Sequence, residues 1–435
     1  MTPAEQQPRA FAVSGRPVAH SRSPQLFRAA FAALGLGHRY LRLAADDGDQ
    51  ALRLATALGL AGLNVTAPFK AAVAERATEL DPPARTLAAV NLALPAADGW
   101  RGENTDAAGA VAALRRSGLA LEDRRAVVLG SGGAGRAAAW GLLRAGARVC
   151  LVNRTAARAQ RLAERWGCAW ARWSDFGAAL AGSDLLVSCL PAGVAPPPGA
   201  GLGPGLTVLD ANYAGSVWRA PARRAGCGWV DGLEWLLAQA EAGFQRWLDR
   251  PAPAAAMRAA AREAASLPAN IALFGFMGSG KTSLGRTLAA RKGRRFVDLD
   301  LLVAERAGCA VAEIFARRGE AAFRALERAA LERVSGERGL VLACGGGCLL
   351  EPANRALLGE DWLGVWLWAP LAQCLERCAG SQRPLLGGDS ARLWARRLPG
   401  YAARADLVLD GSERGPAELA ERMADELAAL PAAAG

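Results

Sequence analysis

Two glycine loops of different build, each lying between an apolar run and a helix-like one, set the main constraint on this chain. The first, Gly130-Ser131-Gly132-Gly133-Ala134-Gly135, follows Ala126-Val127-Val128-Leu129. The second, Gly275-Phe276-Met277-Gly278-Ser279-Gly280-Lys281-Thr282, follows Ile271-Ala272-Leu273-Phe274. In both, a strand turns through glycines into a helix, so backbone N–H groups and a helix N-terminus face an anion. A G-x-G-x-x-G loop suits the pyrophosphate of a dinucleotide, whereas a G-x-x-x-x-G-K-[ST] loop suits a triphosphate with Mg2+. One domain rarely needs both, so two separate sites are expected on one polypeptide.

A length of 435 residues allows two or three domains, and a 52% hydrophobic content is that of a globular protein. Every apolar run is shorter than a membrane span. The start, Met1-Thr2-Pro3-Ala4-Glu5-Gln6-Gln7, lacks the charged-then-apolar build of a secretory leader. Nine scattered cysteines without a C-x-x-C pair point to a reducing cytoplasm. Cys344/Cys348 and Cys374/Cys378 have an i,i+4 spacing that a metal could use, but small core residues are the simpler reading. The net charge of +11 comes from dispersed arginines with no basic block between aromatics. It therefore favours anionic metabolites over nucleic acid, and neither nucleic acid nor a membrane is expected as a partner.

Lysine occurs only as Lys70, Lys281 and Lys292. A site that needs a compact ammonium resists exchange to the planar guanidinium, which makes Lys70 and Lys281 candidates for chemistry. Strand-like runs alternate with Ala/Leu/Arg-rich helical segments, the pattern of parallel α/β sheets. Strand ends are read at Phe11–Val13, Gly62–Val65, Ala89–Leu92, Arg148–Val152, Leu185–Ser188 and Thr207–Leu209, and a long amphipathic helix from Leu233 to Leu248. The proline-rich stretch after Asp249 reads as a linker, in part helical, before a fresh strand at Ile271.

Three clusters in the N-terminal half belong together. They are Gly15-Arg16-Pro17-Val18-Ala19-His20-Ser21-Arg22-Ser23-Pro24, Asn64-Val65-Thr66-Ala67-Pro68-Phe69-Lys70 and Gly102-Glu103-Asn104-Thr105-Asp106. The serines of the first could simply cap a helix. In content, order and spacing, however, the three resemble shikimate dehydrogenase from about Phe11 to Leu248. The resemblance implies that 3-dehydroshikimate is bound by Ser21, Ser23, Asn64, Thr66, Asn91, Asp106, Tyr213 and Gln239. It also implies Lys70 and Asp106 as the catalytic pair. Gly130, Ser131, Gly132, Gly133, Ala134, Gly135 and Gly232 would hold the dinucleotide. Where an acidic residue would bind the ribose of NAD, the chain has Asn153, Arg154 and Thr155, with Arg158 one turn on. Arginines there suit a 2′-phosphate, so NADP(H) is expected, with an NAD-linked quinate/shikimate dehydrogenase as the alternative. Two departures from the family pattern are Leu92, where threonine is usual, and Ser188-Cys189-Leu190-Pro191 in place of Asn-Ala-Thr.

From Asn270 onward the chain resembles shikimate kinase. The resemblance implies ATP held by Gly278, Ser279, Gly280, Lys281, Thr282 and Ser283, with Arg377 on adenine and Arg383 as a lid arginine. Thr282 and Asp298 would serve Mg2+. Phe296-Val297-Asp298-Leu299-Asp300 reads as a strand ending in two carboxylates, of which Asp300 would bind and activate the shikimate hydroxyl. Arg324, Arg397 and the Gly345-Gly346-Gly347 turn would hold the substrate carboxylate and ring. Cys344 stands where threonine is common.

The expected fold is therefore α/β throughout. A two-lobed dehydrogenase spans 1–250, with an open α/β substrate lobe (1–104 and 233–250) and a Rossmann NADP lobe (105–232). A linker at 251–268 leads to a P-loop kinase at 269–435. The two halves point independently to the same metabolite, shikimate. A regulator that kept both folds without chemistry is the alternative of a different class; the intact lysines and carboxylates speak against it.

Overall fold

The computed structural model describes residues 7–213, 215–263, 268–379 and 389–430. The chain forms two compact units. One comprises Arg22–Gly37 and Leu60–Glu263, and the other joins Pro8–Ser21 and His38–Gly59 to the C-terminal part of the chain.

In the first unit, six parallel strands lie in the order Gly228–Val230, Thr207–Asp210, Leu185–Ser188, Arg125–Leu129, Arg148–Val152 and Ala169–Ala171. This is the doubly wound dinucleotide-binding arrangement, whose ligand crevice opens beyond the C-terminal ends of the central strands. The central strands are almost wholly apolar because helices cover both faces of a parallel sheet, and Ala126–Leu129 and Leu185–Val187 are buried throughout. In the same unit, Gly62–Val65, Leu92–Ala96 and Gly99–Glu103 run antiparallel. That pairing departs from the all-parallel expectation. The two-residue connection Ala97-Asp98 between paired Ala96 and Gly99 can only make a hairpin. The expected strand end at Ala89–Leu92 begins only at Leu92.

The helix Gly232–Leu248 is capped by the Asp231 carboxylate, which accepts from Leu233 N–H. It buries Trp235, Leu237, Ala240, Phe244 and Trp247 and packs on Asp106–Arg116. A Cβ at Gly109 would lie 2.8 Å from that of Gln239, so only glycine permits this approach. Within the expected linker, Ala254–Arg262 is a helix that buries Met257, Ala260 and Ala261 and packs against Ser23–Ala33.

In the second unit the strand order is Arg295–Asp298, Leu340–Ala343, Asn270–Phe274, Trp362–Trp368, Leu407–Asp410, Arg39–Ala44 and Ala10–Ser14, all parallel. The first five are the P-loop sheet. Its last strand pairs with an N-terminal one, Val408 opposite Leu43 and Leu409 opposite Ala44. The strand expected to run through Asp300 stops at Asp298, because the Asp298 side chain accepts from the N–H groups of Asp300 and Leu301 and caps the helix Leu299–Ala307. Asp300 thus sits in the first turn of a helix. Among the described residues, no helix is long and apolar enough to cross a membrane.

Candidate active sites

The first site is built where the hairpin meets the helix Asp106–Arg116. Lys70 begins the helix Lys70–Arg76, and its Nζ lies 2.5 Å from Asp106 Oδ2, with both side chains largely buried. Asp106 Oδ1 accepts from Asn91 Nδ2 at 2.9 Å, and that amide nitrogen also reaches Thr105 Oγ1 and Gln239 Oε1. Asn91 Oδ1 in turn accepts from Thr105 N–H at 2.8 Å. Asn64 Nδ2 donates to the Asn91 carbonyl. Asn104 and Trp235 fix the main chain around Asp106, through Asn104 Oδ1 to Asp106 N–H and through the Trp235 indole to the Asp106 carbonyl. Thr66 is half-buried in the turn before Lys70. Asn64, Lys70, Asn91, Asp106 and Gln239 therefore form one network. Asn104, Thr105 and Trp235 complete it, and sequence reading had not assigned them roles.

The glycine loop is adjacent. A Cβ on Gly133 would stand 3.3 Å from Lys70 Cδ, so the lysine stem crosses directly in front of the loop. Ser131 N–H donates to Asn153 Oδ1, and Asn153 Nδ2 donates to the Thr155 carbonyl, which ties the loop to the exposed tip bearing Arg154 and Arg158. A Cβ at Gly232 would be 2.5 Å from the Asp210 carbonyl, so that helix start is also limited to glycine. The Cys189 carbonyl approaches Gly130. Burial, reinforced by Asp210 and Asp106, pushes the Cys189 thiol far above its ordinary range. It is neutral, and so is the surface it offers. Tyr213 is half-buried just past the strand Thr207–Asp210, and its neighbour Asn212 donates to the Leu190 carbonyl. Ser23 is buried as the first residue of the helix Ser23–Ala33. Ser21, buried in the second unit, offers its carbonyl to Arg42 Nη2 at 2.7 Å.

The second site surrounds two loops. In the phosphate loop, Gly278 has φ +79°, and a Cβ there would strike the Cys374 carbonyl at 2.2 Å, so the turn is open only to glycine. Lys281 Nζ donates to the Gly275 and Phe276 carbonyls at 3.1 and 2.9 Å. Thr282 Oγ1 lies 2.7 Å from Asp298 Oδ2. Ser279 is buried in the loop and Ser283 is exposed on the helix Lys281–Lys292. Arg377 Nη2 donates to the Gly411 carbonyl at 3.0 Å. Arg383 lies outside the described residues.

The triple-glycine turn brings four charged groups together. Cβ atoms placed on Gly345, Gly346 and Gly347 would meet, respectively, Glu327 Oε1 and Asp300 Oδ1, Arg397 Nη1, and Arg324 Nη2, all within 3 Å. Arg324 is held by Glu327 Oε2 at 2.7 Å and Glu320 Oε1 at 3.0 Å. Glu327 is fully buried, and burial raises its pKa against the opposing pull of Arg324. Arg397 is 2% exposed, stacks over Phe276, and has two nitrogens, Nε and Nη1, without a hydrogen-bond partner among the described residues. A buried cation with spare donors beside a bare glycine turn is suited to an incoming carboxylate. Glu327 and Tyr401, whose hydroxyl donates to the Gly346 carbonyl, went unread in the sequence. An i,i+3 spacing from Arg324 was the only signal for Glu327.

Comparison with known proteins identifies the family. A family model described as shikimate dehydrogenase substrate binding domain matches residues 13–93, and one described as shikimate/quinate 5-dehydrogenase matches 112–193. The NADP(+) shikimate dehydrogenase of Halobacterium salinarum is 42% identical over 261 residues, covering 58% of this chain and 98% of that protein. The chain belongs to the shikimate dehydrogenase family. The shikimate dehydrogenase of Syntrophobacter fumaroxidans is 37% identical over 276 residues, covering 60% of this chain and 96% of that protein. A crystal structure of shikimate 5-dehydrogenase from Thermus thermophilus in complex with shikimate aligns at TM-score 0.52 and 33% identity, over 58% of this chain and 98% of that one. The shikimate kinase family model matches residues 277–428, so this dehydrogenase is fused to a kinase. The chain joins two activities of one pathway, shikimate dehydrogenase and shikimate kinase.

Proposed function

We propose that the first site reduces 3-dehydroshikimate with NADPH and that the second phosphorylates the resulting shikimate at its 3-hydroxyl with Mg-ATP, in the cytoplasm. The observation that carries the reading is Lys70, which lies between the Asp106–Asn91 network and the dinucleotide loop. NADPH, when bound, supplies the hydride. Negative charge then grows on the former ketone oxygen, and the Lys70 ammonium donates the proton that neutralises it. Asp106 orients Lys70 and, with Asn64, Asn91, Thr66, Gln239, Ser21, Ser23 and Tyr213, accepts from or donates to the hydroxyls and carboxylate of the ring. Arg154 and Arg158 suit the 2′-phosphate.

In the kinase, Asp300 would accept the hydrogen bond of the attacking hydroxyl and take its proton as that oxygen bonds to the γ-phosphorus of ATP, the bond from phosphorus to the β,γ-bridging oxygen breaks and ADP leaves. Arg397 and Arg324 hold the ring carboxylate, and Lys281 leaves the loop carbonyls for the β- and γ-phosphates. Thr282 Oγ1 and Asp298 Oδ2, which converge at 2.7 Å, fit a divalent ion that keeps most of its ligands as water and phosphate. Mg2+ supplies charge neutralisation at the phosphates.

The deciding experiment supplies 3-dehydroshikimate, NADPH and Mg-ATP together and looks for shikimate 3-phosphate. Its absence, with each half-reaction also silent, overturns the reading, and a clear preference for NADH overturns the cofactor assignment.

A further inference from the structure

The turn that carries Ser21 is held by a side chain from the opposite end of the sequence. Glu426, on the C-terminal helix Pro416–Ala428, is 0% exposed. Its Oε2 accepts from the main-chain N–H groups of both Val18 and Ala19, at 2.8 and 2.7 Å. Its Oε1 lies 2.6 Å from Nη1 of Arg422, which is 2% exposed. Arg422 in turn donates from Nη2 to the Ala45 carbonyl at 3.0 Å and sets Nε 3.3 Å from Asp46 Oδ1. Asp46 is also paired with Arg414 at 2.7 Å and Arg16 at 3.5 Å. The turn closes on itself through Ser21 N–H to the Val18 carbonyl, and Arg42 grips the Ser21 carbonyl. Two N–H groups on one ionised acceptor, in a dry setting, fix a main chain far more firmly than solvent can.

A buried ion pair is a costly way to stabilise a fold, since apolar residues of similar volume often do as well. A pair whose free oxygen points at two N–H groups of a binding turn has a more specific task. We infer that Glu426, supplied by the kinase helix, is a positioning residue for the dehydrogenase: it sets the Val18–Ser21 main chain so that the Ser21 hydroxyl meets the substrate. The dehydrogenase substrate turn is then complete only in the fused chain. The inference rests on the reading of Ser21 as a substrate ligand.

The test uses the full-length chain with Arg422→Met/Glu426→Met, which removes both charges and leaves no buried ion unpaired. Because truncating Glu426 alone risks misfolding, Glu426→Gln, which retains one acceptor oxygen, is compared with it. The double variant should raise KM for 3-dehydroshikimate at least about tenfold. KM for NADPH and the kinase constants should stay unchanged, and the Gln variant should fall between. Hydrogen exchange at the Val18 and Ala19 amides should quicken in parallel. An unchanged KM, or unchanged exchange at these amides, in a folded double variant with full kinase activity overturns the inference. Ser21→Ala is run alongside. If it leaves KM for 3-dehydroshikimate unchanged, the substrate reading of the turn is what fails. If it raises KM and the double variant does not, Glu426 has no positioning role.

Discussion

At the scale of single residues, the proposed function assigns one lysine to each site. Lys70→Ala should lower the dehydrogenase kcat by about 10^2- to 10^4-fold, the usual worth of a positioned proton donor, and leave phosphorylation of added shikimate intact. Lys281→Met should do the reverse; loss of both activities from either change in a folded protein contradicts two separate sites. Arg397→Lys removes a planar fork that sits buried with two donors lacking a partner among the described residues. KM for shikimate is expected to rise about 10- to 100-fold with little change in KM for ATP, and steady-state kinetics with each substrate varied decides it. The lysines were legible because their scarcity in an arginine-rich chain singles them out. Glu327 and Thr105 were not, because their significance is tertiary: Glu327 meets Gly345 and Thr105 meets Asn91 only after folding.

At the scale of elements, a strand end can carry a buried charge. The strand Thr207–Asp210 ends in a fully buried carboxylate whose pKa is raised first by desolvation, against hydrogen bonds from Ser216 and Asn212. A carboxyl with a raised folded-state pKa contributes most below its unfolded value, and that contribution is lost as pH rises through the folded value. Asp210→Asn, which stays neutral, should therefore gain thermal stability relative to the native chain as pH rises from 4 toward 7. A difference in midpoint that stays constant over that interval contradicts this. In the kinase, Gly347→Ala puts a methyl group 2.4 Å from Arg324 Nη2 and should raise KM for shikimate by displacing that guanidinium. The apolar strand runs and the amphipathic helix were readable because period and burial agree. The hairpin Leu92–Glu103 and the helical placement of Asp300 were not, since a two-residue turn and an N-cap carboxylate leave only faint marks in the sequence.

At the scale of the molecule, the dehydrogenase family models match 13–93 and 112–193 and the kinase model matches 277–428, yet Ala10–Ser14 and Arg39–Ala44 group with the P-loop sheet. If that grouping is cooperative, saturating Mg-ADP should slow amide exchange in Arg39–Ala44 along with Asn270–Phe274. At a hundredfold excess over Kd, the linkage amounts to about 2.7 kcal/mol. Exchange in Arg39–Ala44 that ignores the nucleotide would show that the N-terminal strands open independently. The motifs carry no information about which strand borders which, because pairing partners are chosen by shape and not by signature. The pairing of Leu407–Asp410 with Arg39–Ala44 has one more consequence, for solubility. A gene split between the two enzymes would leave Leu407–Asp410 as a bare apolar edge, Leu-Val-Leu-Asp, with its amides and carbonyls open to any passing strand. The separately produced kinase half is expected to self-associate, and in this chain the dehydrogenase strand doubles as the cover that keeps that edge from aggregating.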